Sequence, residues 1–96
     1  MRSATPRRIG TLIPSLLDEL GLSRRLRDYE VLNRWPEIAG KKIAAVTSAD
    51  RLTDGRLWIS VSHSAWRNEL QFIKKKLIDK INGTFGETIV RDIIFR

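Results

Sequence analysis

The sequence predicts an α+β fold, with two N-terminal helical segments followed by a ββαβ unit and the helices on one face of a three-stranded sheet. Three observations carry this. Apolar residues recur at helical spacing before Gly40. A short alternating segment follows an Asp-Gly pair. A long helical stripe then leads into a β-branched segment at the C-terminal end.

Met1 to Arg8 holds three arginines, a proline and no acid, and reads as a flexible basic arm before a single domain over 9–96. Ile9, Leu12, Ile13, Leu16, Leu17 and Leu20 fall at helical spacing; Pro14 suits the first firm turn and Gly21 a stop. Ser23 is a plausible N-cap for the second segment. Leu22, Leu26 and Tyr29 share one face of it, and Val31, Trp35, Ile38 and Ala39 share another. The two stripes are out of phase, which predicts a break or kink between them, with Pro36 as a further disturbance and Gly40 as the end.

Ile43 to Thr53 is moderately apolar and forms the first arm of a predicted β-hairpin. Asp54-Gly55 is the turn signal, and Arg56 to Ser62 alternates, with Leu57, Ile59 and Val61 facing the core and Trp58 and Ser60 facing away. Ser64 is positioned to cap a third helix. Its stripe of Trp66, Leu70, Ile73, Leu77 and Ile81 is the clearest periodic signal in the chain, and Gly83 and Gly86 end it. Ile89 to Phe95 is apolar and β-branched enough for a last strand. Trp35 and Trp66 lie on apolar stripes and read as core.

At 96 residues the chain has the length of one domain, and 42% hydrophobic residues supply a modest core. The net charge of +7 and a pI near 10.6 favour a polyanionic partner over a merely positive surface. With no cysteine, disulfides and thiolate metal sites are excluded, which fits a reducing, cytoplasmic setting. Arg2, Arg7 and Arg8 precede an apolar stretch broken by Gly10 and Pro14, without the pattern of a signal peptide. No apolar run has the length of a membrane span.

Little in the sequence supports catalysis. His63 is the sole histidine, sits between a strand and a helix, and reads as a turn or capping residue. The acids are scattered without ligand spacing, and no loop has the pattern of a nucleotide-binding loop. No cofactor and no small-molecule substrate are expected. Gly83-Thr84-Phe85-Gly86 matches the Gly-x-x-Gly that clamps nucleic-acid backbones in KH modules. It follows a helix and leads to a strand, however, and reads as a glycine C-cap with a turn.

The basic residues are more suggestive. Arg67, Lys74 and Lys75 lie on a polar flank of the third helix, Lys41 and Lys42 precede the hairpin, and Arg24 and Arg25 open the second helical region. Such side chains either contact phosphates or form solvated faces. Trp58, turned away from the core, either stacks on an unpaired base, anchors a protein partner or is covered by another part of the chain.

The string from Trp35-Pro-Glu-Ile-Ala-Gly40 through Ile43-Ala44 carries a resemblance when joined to three later pieces. These are Leu52-Thr-Asp-Gly55-Arg-Leu57-Trp-Ile59-Ser-Val61, then Ser64-Ala-Trp66-Arg-Asn-Glu69-Leu70, then Ile81-Asn82 with Gly86. As an ordered set covering nearly the whole chain, they resemble the DciA family. The resemblance implies a KH-like domain that binds DNA and assists the bacterial replicative helicase without hydrolysing ATP. The expected partners are single-stranded or forked DNA and that helicase. RNA binding through a KH-like fold, or an adaptor role toward an acidic protein, are the alternatives.

Overall fold

The computed structural model of the chain describes Ser15, Leu16 and residues 18–96. The predicted basic arm over 1–8 and most of the first predicted helix lie outside these residues. What is described of that helix is helical at Ser15, Leu16, Asp18 and Glu19. Gly21 ends it as predicted, with φ at 73° and its N–H donating to the Asp18 carbonyl.

The same glycine starts the next helix, α1 (Leu22–Ala39), so Ser23 is not its N-cap and no side chain caps it. The predicted break is also absent, because α1 runs unbroken for 18 residues with Pro36 in its last turns. Only one stripe therefore reaches the core. Val31, Trp35 and Ile38 are buried, whereas Leu26 and Tyr29 stay 60% and 66% exposed. The helix continues through Pro36, which has no N–H to donate, and the second apolar stripe is left facing water at Leu26 and Tyr29.

Gly40, at φ 92°, turns the chain into a one-turn helix, α2 (Lys41–Ala44). The first strand thus begins later than its sequence suggests. β1 spans Thr47–Thr53 rather than starting at Ile43, since Ile43-Ala44 continues helically and the β-branched Thr47 opens the strand. Trp35 Nε1 donates to Thr47 Oγ1 at 3.0 Å, and Thr47 Oγ1 donates to the Ile43 carbonyl at 2.7 Å, tying α1, α2 and β1 together.

β1 and β2 (Arg56–Val61) form the predicted hairpin. Asp54 and Gly55 have φ of 52° and 78°, the paired positive values of the two-residue turn that suits twisted strands. A bulge at Asp50 lets Ala49 and Leu52 both face the core although they are three residues apart. The long third helix is in fact two, α3 (Ser64–Phe72) and α4 (Lys74–Phe85), separated at Ile73. Gly83 lies inside α4, and Gly86 alone ends it, at φ 71°. Ser64 is the first residue of α3 and not its cap; His63 holds the cap position without a side-chain cap bond.

The last strand, β3 (Asp92–Phe95), is shorter than the predicted Ile89–Phe95 and pairs parallel to β2, giving the sheet order β1-β2-β3. The preceding residues are held instead by Asn82, whose Oδ1 accepts the N–H groups of Ile89 and Val90. Leu57, Ile59, Val61, Ile93 and Phe95 face one side of the sheet and meet Val31, Trp35, Ile38, Leu70, Leu77 and Ile81 from the helices. Trp35 is buried as predicted, while Trp66 is only partly buried against the same core. Each fully buried Leu or Ile contributes about 1.5–3 kcal/mol.

Candidate nucleic-acid interface

The strand alternation that buries Leu57 and Ile59 turns Trp58 to the opposite face of the sheet. Register supplies its neighbours. Arg51 of β1 lies directly across from Trp58 on one side and Ile94 of β3 on the other. The Arg51 guanidinium sits 4.5 Å from the centre of the indole ring. Arg96 continues the β3 ladder, its N–H donating to the Ile59 carbonyl, and places a second guanidinium 5.4 Å from the same ring. Trp58 is partly exposed. Nearby, the bulged Asp50 accepts a hydrogen bond from Ser60 and lies 3.9 Å from Arg96 Nη2, so one carboxylate offsets part of this charge.

The other cations singled out by sequence do not gather around this ring. Arg24 and Arg25 are exposed near the start of α1. Arg24 borders a cleft of about 370 Å³ beside the hairpin turn, shared with Arg27, Asp28, Asp54, Glu87 and Arg91. Two of those arginines are engaged there, Arg27 with Glu87 at 3.0 Å and Arg91 with the Asp54 carbonyl. Burial holds the Asp28 carboxyl above its usual value, against the pull of Arg24 and Arg27. Lys74, next to the same end of the sheet, pairs with Asp92 at 3.2 Å. Lys75 is exposed, 3.8 Å from Asp79.

Lys41 and Lys42 are exposed on α2, which precedes the opposite end of β1. Arg67 stands in the first turn of α3, after the same end of β2, and its Nε is enclosed without a hydrogen-bond partner. The basic residues thus occupy both ends of the sheet, with Trp58 on the open face between them.

Arg51 and Arg96 were not among the residues that sequence pattern singled out. Arg51 was within reach of it: a two-residue turn at Asp54-Gly55 pairs Thr53 with Arg56, and two steps back Arg51 with Trp58. Arg96 had no such signal, because its place depends on a parallel pairing made across two helices. Among the described residues no group of three or more His, Asp or Glu side chains is arranged to hold a metal ion. No helix among them is long and apolar enough to cross a membrane.

Residues 8–95 match the family described as Dna[CI] antecedent, DciA. A UPF0232 protein of Rhodococcus jostii is 28% identical over 88 residues, which are 92% of this chain and 47% of that protein. A UPF0232 protein of Mycolicibacterium smegmatis is 27% identical over 85 residues, covering 88% and 44%. One from Mycobacterium tuberculosis is 28% identical over 88 residues, covering 92% and 47%. The chain spans about half the length of the curated relatives it matches.

Proposed function

The chain belongs to the DciA family, and from that premise we propose that it is a non-catalytic module that binds single-stranded or forked DNA and assists the bacterial replicative helicase. The observation that carries the DNA half is Trp58 on the open sheet face with the Arg51 and Arg96 guanidiniums over its ring. A base stacks on the ring when a guanidinium swings from it onto a phosphate, so this combination suits a single strand without fixing its sequence. Arg24, Arg25, Lys41, Lys42, Arg67, Lys74 and Lys75 contribute the surrounding positive field, which draws a polyanion toward both ends of the sheet.

The test is binding of a labelled oligonucleotide over a salt series. Affinity falls steeply with salt, and Trp58→Ala weakens it by roughly fivefold or more, the usual worth of one stacked base. Wild-type protein that shows no salt-sensitive binding at low ionic strength refutes the DNA half. For the helicase half, the chain and the purified helicase are mixed and run on a sizing column after nuclease treatment; separate elution refutes it.

A second reading has its own observation. Leu26 and Tyr29 leave an apolar stripe on α1 next to Arg24 and Arg25, which suits an acidic protein partner. Loss of helicase co-elution on Leu26→Asp, with DNA affinity retained, favours that adaptor role.

A further inference from the structure

The most exposed large apolar side chain among the described residues is Phe72, at 86%. It is the last residue of α3, and its exposure follows from the fold. Leu70 takes the core position and is fully buried, and Ile73 is half-buried at the break, where φ is −107° and ψ 13°. Phe72, two residues from Leu70, falls on the opposite side of the helix. The break then starts α4 at once with Lys74-Lys75-Lys76. Lys74 is tied to Asp92, but the Lys75 side chain is 90% exposed and Lys76 is exposed as well. The nearby acids are Glu69, three residues before Phe72, and Asp79, 3.8 Å from the Lys75 ammonium.

We infer that the α3–α4 junction is a second contact for single-stranded DNA, with Phe72 stacking on an unpaired base and Lys75 and Lys76 neutralising phosphates. The inference rests on the DNA-binding reading above and adds a site on a different part of the molecule from Trp58. The surroundings of the ring decide the occupant. A protein-docking site centres on contiguous apolar surface with charge kept to its rim. The exposed residues within four positions of Phe72 are Asn68, Glu69, Gln71, Lys75 and Lys76, all polar. A lone ring in polar surroundings, followed by two exposed lysines of which only Lys75 lies near an acid of α4, matches a base with its phosphates better than an apolar partner, and a duplex, whose bases are already stacked on one another, has no free face to offer it.

The experiment measures anisotropy of labelled oligo-dT, and of a duplex of equal length, with the full chain. Phe72→Ala weakens oligo-dT binding by roughly fivefold or more and leaves duplex binding little changed; Phe72→Trp restores it, and Phe72→Leu does not. Lys75→Gln with Lys76→Gln lowers the slope of log affinity against log salt by about 1.4, the value for two phosphates on a single strand. Side chains this exposed leave the fold intact, which an unchanged melting temperature verifies. If wild-type protein binds oligo-dT but Phe72→Ala matches it, or weakens duplex binding to the same degree, the junction is not a stacking site and the Trp58 reading stands. If wild-type protein does not bind at all, both fall together.

Discussion

Asn82 grips Val90 by both of its backbone groups: Nδ2 donates to the Val90 carbonyl and Oδ1 accepts the Val90 N–H, each at 2.9 Å. Oδ1 also accepts the Ile89 N–H at 2.9 Å. Val90 is fully buried and the segment has no strand partner before Asp92, so one side chain does the work of a ladder. Asn82→Ala strands these groups and costs about 2–4 kcal/mol, read from urea unfolding. A loss well under about 1 kcal/mol means that water replaces the amide there.

Two glycines respond in opposite directions to the same substitution. Gly55→Ala destabilises by about 1–2 kcal/mol, because φ is 78° and the added carbon runs into the Arg91 side chain. Gly83→Ala stabilises by about 0.5–1 kcal/mol, since Gly83 sits inside α4 with nothing within 4 Å of the new carbon. Melting temperatures of both variants check this, and a shift of the same sign in each contradicts it.

The Asp28 carboxyl, raised by burial, gives a pH-dependent prediction. It binds its proton more tightly in the folded state than in the unfolded one. The stability it contributes is therefore full below its unfolded value and is lost as pH rises through the raised folded value. Asp28→Asn is more stable than wild type at neutral pH, and the two converge in acid. Denaturant midpoints at both pH values decide it; an Asn variant weaker than wild type at neutral pH would show that the attraction of Arg24 and Arg27 outweighs burial.

On the open face, Arg51→Gln with Arg96→Gln lowers the single-strand salt slope by about 1.4, while each change alone lowers it by about 0.7. The same titration with Lys74→Gln separates structure from contact. Lys74 is engaged by Asp92, so its loss lowers the melting temperature more than the slope. An unaltered slope in the Arg51/Arg96 double variant removes those residues from the DNA contact.

Much of this is legible in the sequence. The stripe from Trp66 to Ile81 and the alternation from Leu57 to Val61 both reach the core, because periodicity records which side chains avoid water. Asp54-Gly55 announced its own turn, since few residues besides Asn, Asp and Gly adopt two successive positive φ values. Other features were hidden. The stripe of Leu22, Leu26 and Tyr29 carries the same signal as a core face, yet Leu26 and Tyr29 remain in water, and pattern alone does not say which of two faces finds a partner. The break at Ile73 preserves the apolar spacing on either side and so leaves no trace in it.

By itself, then, the sequence determined the order of the strands and of the main helical segments, the hairpin register next to the turn, the direction in which Trp58 points and the basic character of the chain. Those are local properties, set by backbone preference and by the alternation or helical repeat of neighbouring residues. Only the tertiary structure decided that Arg96 joins Arg51 at the Trp58 ring, that Lys74 is occupied by Asp92, and that the remaining cations divide between the two ends of the sheet. Each of these joins residues brought together by strand pairing or by the α3–α4 crossover. The free energy that places them belongs to the packed core as a whole and is not written in any one segment.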